Sequence, residues 1–454
     1  MVSLSVLVAL LTTAVAGPLS ARVPDTSSNT SMAHSFQDVP VTKDIHYVPC
    51  FENFTCTNIE VPLDYEDESA GTTHIAFIKH TALKQPAKGD IIYNPGGPGD
   101  SAAGFFNSFK FASLPRLLGD EWNLVGMDPR GVNNSGPNLD CFEGKPELRD
   151  FYDTQYSQSV DARSEASLRT YFANAGGFGD WCSRTLTQEA RYANTPATAR
   201  DMLHYAELLA ETHGKPKEVA KVNYYGASYG SVLGNTFAQL YPNRVGKFVI
   251  DANMDVEDYY WGSWVQSLHQ ADESVYTFFN TCFEAGSGCA FFRNDSSPDF
   301  MKDRVDAVLD DLEKQPVAVT DPNFVEYPTV VTHMDLRGEL MTSMYNSISS
   351  WRRLALILSD LEHRNGSILA SRMSKGIFTP AAISEYSAVQ PKLLIACNDN
   401  HGRYNVSSFE KLNELYADNR AKAKYAGEIW TQVIVPQCRN LRFQPPANQQ
   451  FHGK

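Results

Sequence analysis

Residues Lys221-Val222-Asn223-Tyr224-Tyr225-Gly226-Ala227-Ser228-Tyr229-Gly230 decide how the chain is read. The first five are β-rich and form a run short enough for a buried parallel strand. Beyond Gly230, the residues Val232, Leu233, Thr236, Phe237 and Leu240 recur at the spacing of one helical face. Between the two lies Gly226-Ala227-Ser228-Tyr229-Gly230, a G-x-S-x-G turn in a strand, tight turn, helix context. A serine on such a turn is strained and exposed at the sheet edge, and a side chain at either flanking glycine would collide with the neighbouring strand or helix. The helix that starts just after it aims free N–H groups and its positive dipole end at any oxyanion forming there. Ser228 is therefore the candidate nucleophile.

A second glycine-rich turn precedes it. Asp90-Ile91-Ile92-Tyr93 reads as another buried strand and runs into Asn94-Pro95-Gly96-Gly97-Pro98-Gly99, whose lack of side chains lets backbone N–H groups face a ligand. The prolines favour a fixed shape over a mobile surface loop. A third strand, Trp122 to Met127, ends in Asp128-Pro129-Arg130-Gly131, and a fourth, Lys247 to Ile250, ends in Asp251. Both acids read as ordering the turns at the strand ends.

In this order, Gly-Gly-Pro-Gly, Asp-Pro-Arg-Gly and Gly-Ala-Ser-Tyr-Gly followed by Tyr241-Pro242-Asn243-Arg244-Val245 resemble the tripeptidyl aminopeptidase and proline iminopeptidase branch of the α/β-hydrolases. Cys56 to Tyr65 is similar to that family's entry strand, and Ile395-Ala396-Cys397-Asn398-Asp399 with Cys438 resembles the run before its C-terminal segment. Asn94 at the head of the glycine loop favours the tripeptidyl group. The resemblance implies a mostly parallel sheet flanked by helices with an inserted helical cap. It implies Ser228 as nucleophile, with the backbone N–H groups of Gly97 and Tyr229 as oxyanion donors, and no cofactor. It also implies a mismatch. A serine nucleophile needs an imidazole base and a carboxylate to orient it, and the family places both beyond the segment that resembles Cys438 to Lys454. By that alignment the acid, the histidine and the last strands are absent. The chain itself offers substitutes: Pro391 to Ile395 as an acid-bearing strand leading to Asp399, with His452 downstream.

Composition agrees with an enzyme of this class. The 454 residues are 43% apolar, enough for a large core, and the net charge of −14 argues against nucleic acid or an anionic membrane as partner. The substrate expected is a peptide or a small ester or amide, and the oligomeric state is left open. Val2 to Ala16 is apolar and ends in Ala14-Val15-Ala16, which reads as a secretory signal although Lys and Arg are missing from its start. Sequons at Asn29, Asn53, Asn133, Asn294, Asn365 and Asn405 fit that route. Eight cysteines suggest an oxidising compartment, and sequential pairing as Cys50/Cys56, Cys141/Cys182, Cys282/Cys289 and Cys397/Cys438 is the expected connectivity. No C-x-x-C pair or histidine cluster supports a metal site.

The expected organisation is a signal over 1–16, a polar tail over 17–45, a first core part over 46–255, a helical cap over 256–385 and a return to the core over 386–454. Tyr259, Tyr260, Trp261 and Trp264 open the cap segment and read as packing between cap and sheet or as a pocket lining. The functional expectation is a secreted serine exopeptidase. The alternatives are a catalytically impaired or truncated homologue, or an esterase or lactonase on a small metabolite.

Overall fold

The computed structural model describes residues 32–156, 160–373, 386–432 and 438–453. The signal-like stretch and the sequon at Asn29 lie outside them. The chain builds an eight-stranded mixed sheet from β1 (Val41–Thr42), β2 (Val48–Cys50), β3 (Phe54–Pro62), β4 (Thr72–His80), β5 (Asp90–Asn94), β6 (Asn123–Met127), β7 (Val222–Ala227) and β8 (Val245–Asp251). The order is β1-β3-β4-β6-β5-β7-β8, with β2 on β3. Strands β6, β5, β7 and β8 run parallel, while β4 joins them antiparallel.

Side chains alternate across this sheet as the two-residue strand period requires. Phe77, Ile92, Val125, Val222 and Tyr224 enter one core, with Ala199, Met202 and Leu203 of helix Thr195–Thr212 and Val232, Leu233 and Phe237 of helix Tyr229–Leu240. Ile78, Ile91, Tyr93, Leu124 and Tyr225 enter a second core on the other face, with Phe106 and Leu114. Helices thus cover both faces, the layering that a parallel sheet needs to bury its apolar strands.

From Val256 to Met373 the chain is helical apart from a two-stranded antiparallel sheet, β9 (Val317–Val319) and β10 (Thr329–Val331). This stretch has a core of its own, in which Val275, Phe278 and Phe279 meet Val305, Leu336, Leu340 and Leu354. Tyr259, Tyr260 and Trp264 instead join the sheet core, while Trp261 is half exposed. The aromatic cluster is therefore mostly packing against the sheet.

All four expected disulfides are present: Cys50–Cys56, Cys141–Cys182, Cys282–Cys289 and Cys397–Cys438. The segment Pro391 to Ile395 departs from expectation. It lies in a helix, Val389–Asn400, with Leu393, Leu394, Ile395 and Ala396 all buried in the sheet core. A short apolar run buried on every side fits strand or helix equally, and Pro391 in the first turn leaves no helical acceptor without its donor.

Candidate active site

The turn after β7 has the geometry anticipated for a nucleophile elbow. Ser228 adopts φ 55° and ψ −121°, a conformation that L-residues rarely hold, and helix Tyr229–Leu240 starts at the next residue. Both flanking glycines are demanded by crowding. A Cβ on Gly226 would sit 2.5 Å from the Gly230 carbonyl oxygen and 2.4 Å from the Tyr224 hydroxyl, and one on Gly230 would sit 2.9 Å from the Asn94 carbonyl oxygen. The turn is pinned from its neighbours. Ser228 N–H donates to the Asp251 carbonyl at 3.0 Å, while Ser231 donates to the Ser228 carbonyl from both its backbone N–H (2.8 Å) and its hydroxyl (2.6 Å).

The glycine loop lies directly on this turn. Gly96 and Gly97 have φ of 115° and 106°, and a Cβ on Gly96 would meet the Ala227 carbonyl oxygen at 2.7 Å and Ser228 Cβ at 2.9 Å. Asn94 Oδ1 takes the Gly96 N–H at 3.0 Å, which leaves Gly97 as the next donor along the loop. Tyr229 N–H, at the first helical position, has no intrahelical acceptor. Among the described residues neither the Gly97 nor the Tyr229 N–H is used in a loop or cap hydrogen bond. The loop therefore meets Ser228 and Tyr229 through Gly96, the residue before Gly97.

The substitute acid and base do not join them. Asp399 is buried, and its two oxygens accept from Thr195 N–H (2.8 Å), Thr195 Oγ1 (2.5 Å) and Tyr259 hydroxyl (2.7 Å). Burial pushes its carboxyl up to about 6. His452 is exposed, and its Nδ1 is 3.0 Å from an Arg403 guanidinium nitrogen. Among the described residues no histidine is hydrogen-bonded to Ser228 Oγ.

Asp128 and Asp251 do order turns. Asp128 accepts from the Ser101 hydroxyl, Ala103 N–H and Asn134 Nδ2, and Asp251 accepts from the Tyr225 hydroxyl and Ala252 N–H. Sequence reasoning missed Arg130, which is fully buried, grips Asp201 through two bonds of 2.7 and 2.8 Å, and caps the Pro62 and Leu63 carbonyls. The only available signal was its place in Asp-Pro-Arg-Gly. Thr195 carried no signal, and Tyr259 was read only as one of the aromatic packing cluster, not as a partner of Asp399.

The comparisons with known proteins agree with this geometry. A family model described as the alpha/beta hydrolase fold matches residues 91–287, the span that holds the glycine loop and the elbow. Over that span the chain has the α/β-hydrolase fold. It is similar to a tripeptidyl aminopeptidase of Streptomyces coelicolor, 29% identical over 248 residues that cover 50% of this chain and 42% of that protein. It is also similar to the serine protease Hip1 of Mycobacterium tuberculosis, 27% identical over 206 residues covering 44% of this chain and 36% of the relative. A carboxylesterase B of Mycobacterium tuberculosis is 36% identical over 86 residues, 19% of this chain and 16% of that one. The chain thus spans less than half the length of the curated relatives it matches. No helix among the described residues is long and apolar enough to cross a membrane.

Proposed function

We propose that this α/β-hydrolase is a secreted acyl hydrolase of the serine type, a peptidase that releases short peptides from N-termini. In this reading Ser228 Oγ attacks the scissile carbonyl carbon, and the carbonyl oxygen becomes an oxyanion held by the Gly97 and Tyr229 N–H groups. The C–N bond then breaks, the amine leaves with a proton, and water hydrolyses the acyl-enzyme. The observation that carries the proposal is the strained Ser228 backbone with Gly96 packed against it, because strain of this kind persists only where surrounding contacts enforce it. Peptide over ester substrates is supported by the tripeptidyl aminopeptidase and serine protease among the relatives. The four disulfides and the exposed sequons at Asn53, Asn133, Asn294, Asn365 and Asn405 support secretion.

One observation favours a second reading, a catalytically impaired homologue that keeps the elbow: among the described residues no histidine is bonded to Ser228 Oγ. Turnover decides between them. The expected outcome is hydrolysis of an Ala-Ala-Pro anilide and fluorophosphonate labelling at Ser228, both abolished in Ser228→Ala. Labelling that survives in that variant refutes the nucleophile. Hydrolysis of an aryl ester alone moves the substrate class to esters, and no turnover with either substrate supports the impaired homologue.

A further inference from the structure

Directly beneath the elbow lies a polar network that the nucleophile reading leaves unused. The Tyr229 ring is fully buried, and its hydroxyl is 2.6 Å from Thr195 Oγ1. Thr195 opens helix Thr195–Thr212 and gives both its N–H and its Oγ1 proton to Asp399. With that proton committed to an ionised carboxylate, Thr195 Oγ1 accepts from Tyr229, so the bonds run in one direction from Tyr229 through Thr195 to Asp399. Tyr259 donates to the same carboxylate from the other side.

The helix that carries Asp399 is rigidly held. Cys397 is bridged to Cys438, Asn398 Nδ2 donates to the Ala190 and Ala193 carbonyls, and Asn400 Nδ2 donates to the Trp261 carbonyl. The other end of this helix backs the glycine loop. A Cβ on Gly99 would lie 2.8 Å from both the Ala388 carbonyl oxygen and the Lys392 nitrogen, and the Tyr386 hydroxyl donates to the Gly99 carbonyl. One helix, Val389–Asn400, therefore backs the glycine loop at Gly99 and reaches Tyr229 through Thr195.

We infer that Asp399, acting through Thr195 on the Tyr229 hydroxyl, is a positioning residue that fixes the Tyr229 N–H for the oxyanion, with helix Val389–Asn400 as the strut that keeps this donor in register with the glycine loop. The inference rests on the nucleophile reading for its purpose, but the hydrogen-bond chain exists independently of it. The groups facing the carboxylate are the Tyr229, Tyr259 and Tyr260 phenols and the Arg403 guanidinium, which donates to the Asp399 carbonyl at 2.9 Å. As pH falls through about 6 the carboxyl takes a proton and becomes a weaker acceptor for the Thr195 hydroxyl and N–H.

The test is amide hydrogen exchange across the elbow in the full chain, read beside aryl ester kinetics. In Tyr229→Phe and Thr195→Val, exchange at the Ser228 and Ser231 amides, which are bonded to the Asp251 and Ser228 carbonyls on either side of Tyr229, should rise at least about tenfold, with a thermal midpoint within a few degrees of the parent. Thr195→Ser, which keeps the hydroxyl, should restore protection. The kcat should fall about tenfold in the first two variants while KM stays within about twofold, the pattern of a lost transition-state contact. Corrected for intrinsic rates, parent protection should drop below pH 6, and the drop should vanish in Asp399→Asn. Exchange within twofold of the parent in both Tyr229→Phe and Thr195→Val overturns the inference. Ser228→Ala should leave exchange unchanged while removing turnover, so failure of the nucleophile reading is distinguishable from failure of this one.

Discussion

Strands β7 and β8 are neighbours, parallel and paired from Tyr224–Phe248 to Ala227–Asp251, yet they live in different environments. In β7, Val222, Tyr224, Tyr225 and Gly226 are buried, and the strand delivers Ser228. No residue of β8 is buried, and Val249 and Ile250 are 50% and 36% exposed. Their sequences, Val-Asn-Tyr-Tyr-Gly-Ala and Val-Gly-Lys-Phe-Val-Ile-Asp, do not announce this contrast. An apolar run reports a preference for burial, and only neighbours on both sides satisfy it. The register irregularity between the two strands has a local cause: a Cβ on Gly246 would lie 2.6 Å from the Asn223 side-chain oxygen, which accepts the Lys247 N–H.

Mutations can break the comparison, and the largest effect belongs to the interior strand. Tyr224 is fully buried, packs its ring at a tilt against Phe248 and donates to the Gly230 carbonyl at 2.8 Å. Tyr224→Ala should therefore lower the unfolding free energy by about 3–5 kcal/mol in denaturant titration. Gly96→Ala tests the close approach of loop and elbow. Positive φ and contacts under 3 Å should together cost about 1–3 kcal/mol and displace Ser228, which fluorophosphonate labelling would read as lost reactivity. On the rim, Val249→Thr should stay within about 0.5 kcal/mol of the parent, and a larger loss would mean that β8 is covered in solution.

pH bears on the same contrast, because the interior holds a buried carboxyl, Asp399, whereas the carboxyl of the rim strand, Asp251, is exposed. Asp399 is raised in the fold from an ordinary value of 3.8 to about 6, so between those values the unfolded chain ionises while the native state keeps its proton. Its contribution favours the fold fully below about pH 4 and is lost as pH rises through 6. This is the reverse of a salt-bridged aspartate. Thermal midpoints of the parent should accordingly decline from pH 4 to 6 relative to Asp399→Asn.

What was legible and what was not divides by range along the chain. The elbow, the glycine loop, the strands at Asp90, Trp122 and Lys247, and the short disulfides Cys50–Cys56 and Cys282–Cys289 all rest on residues a few positions apart. Turn chemistry and side-chain period act over that distance, so they can be read directly. The nature of Pro391 to Ile395 was not legible, because a run buried on all sides has no exposed face to set a period. Nor was the partnership of Arg130 with Asp201, 71 positions away, or of Asp399 with Thr195, 204 positions away.

The residues alone place a serine on a tight turn between a strand and a helix, since Gly226 and Gly230 supply the two flanks where a side chain would collide. They also place a second glycine turn after β5. Only the tertiary structure decided that Gly96 would press against Ser228, that β8 would lie at the rim, and that one helix would reach from Gly99 to the network beneath Tyr229. The physical reason is that local propensities choose backbone angles, whereas a buried polar group is satisfied only by whichever partners the completed fold brings within hydrogen-bonding distance.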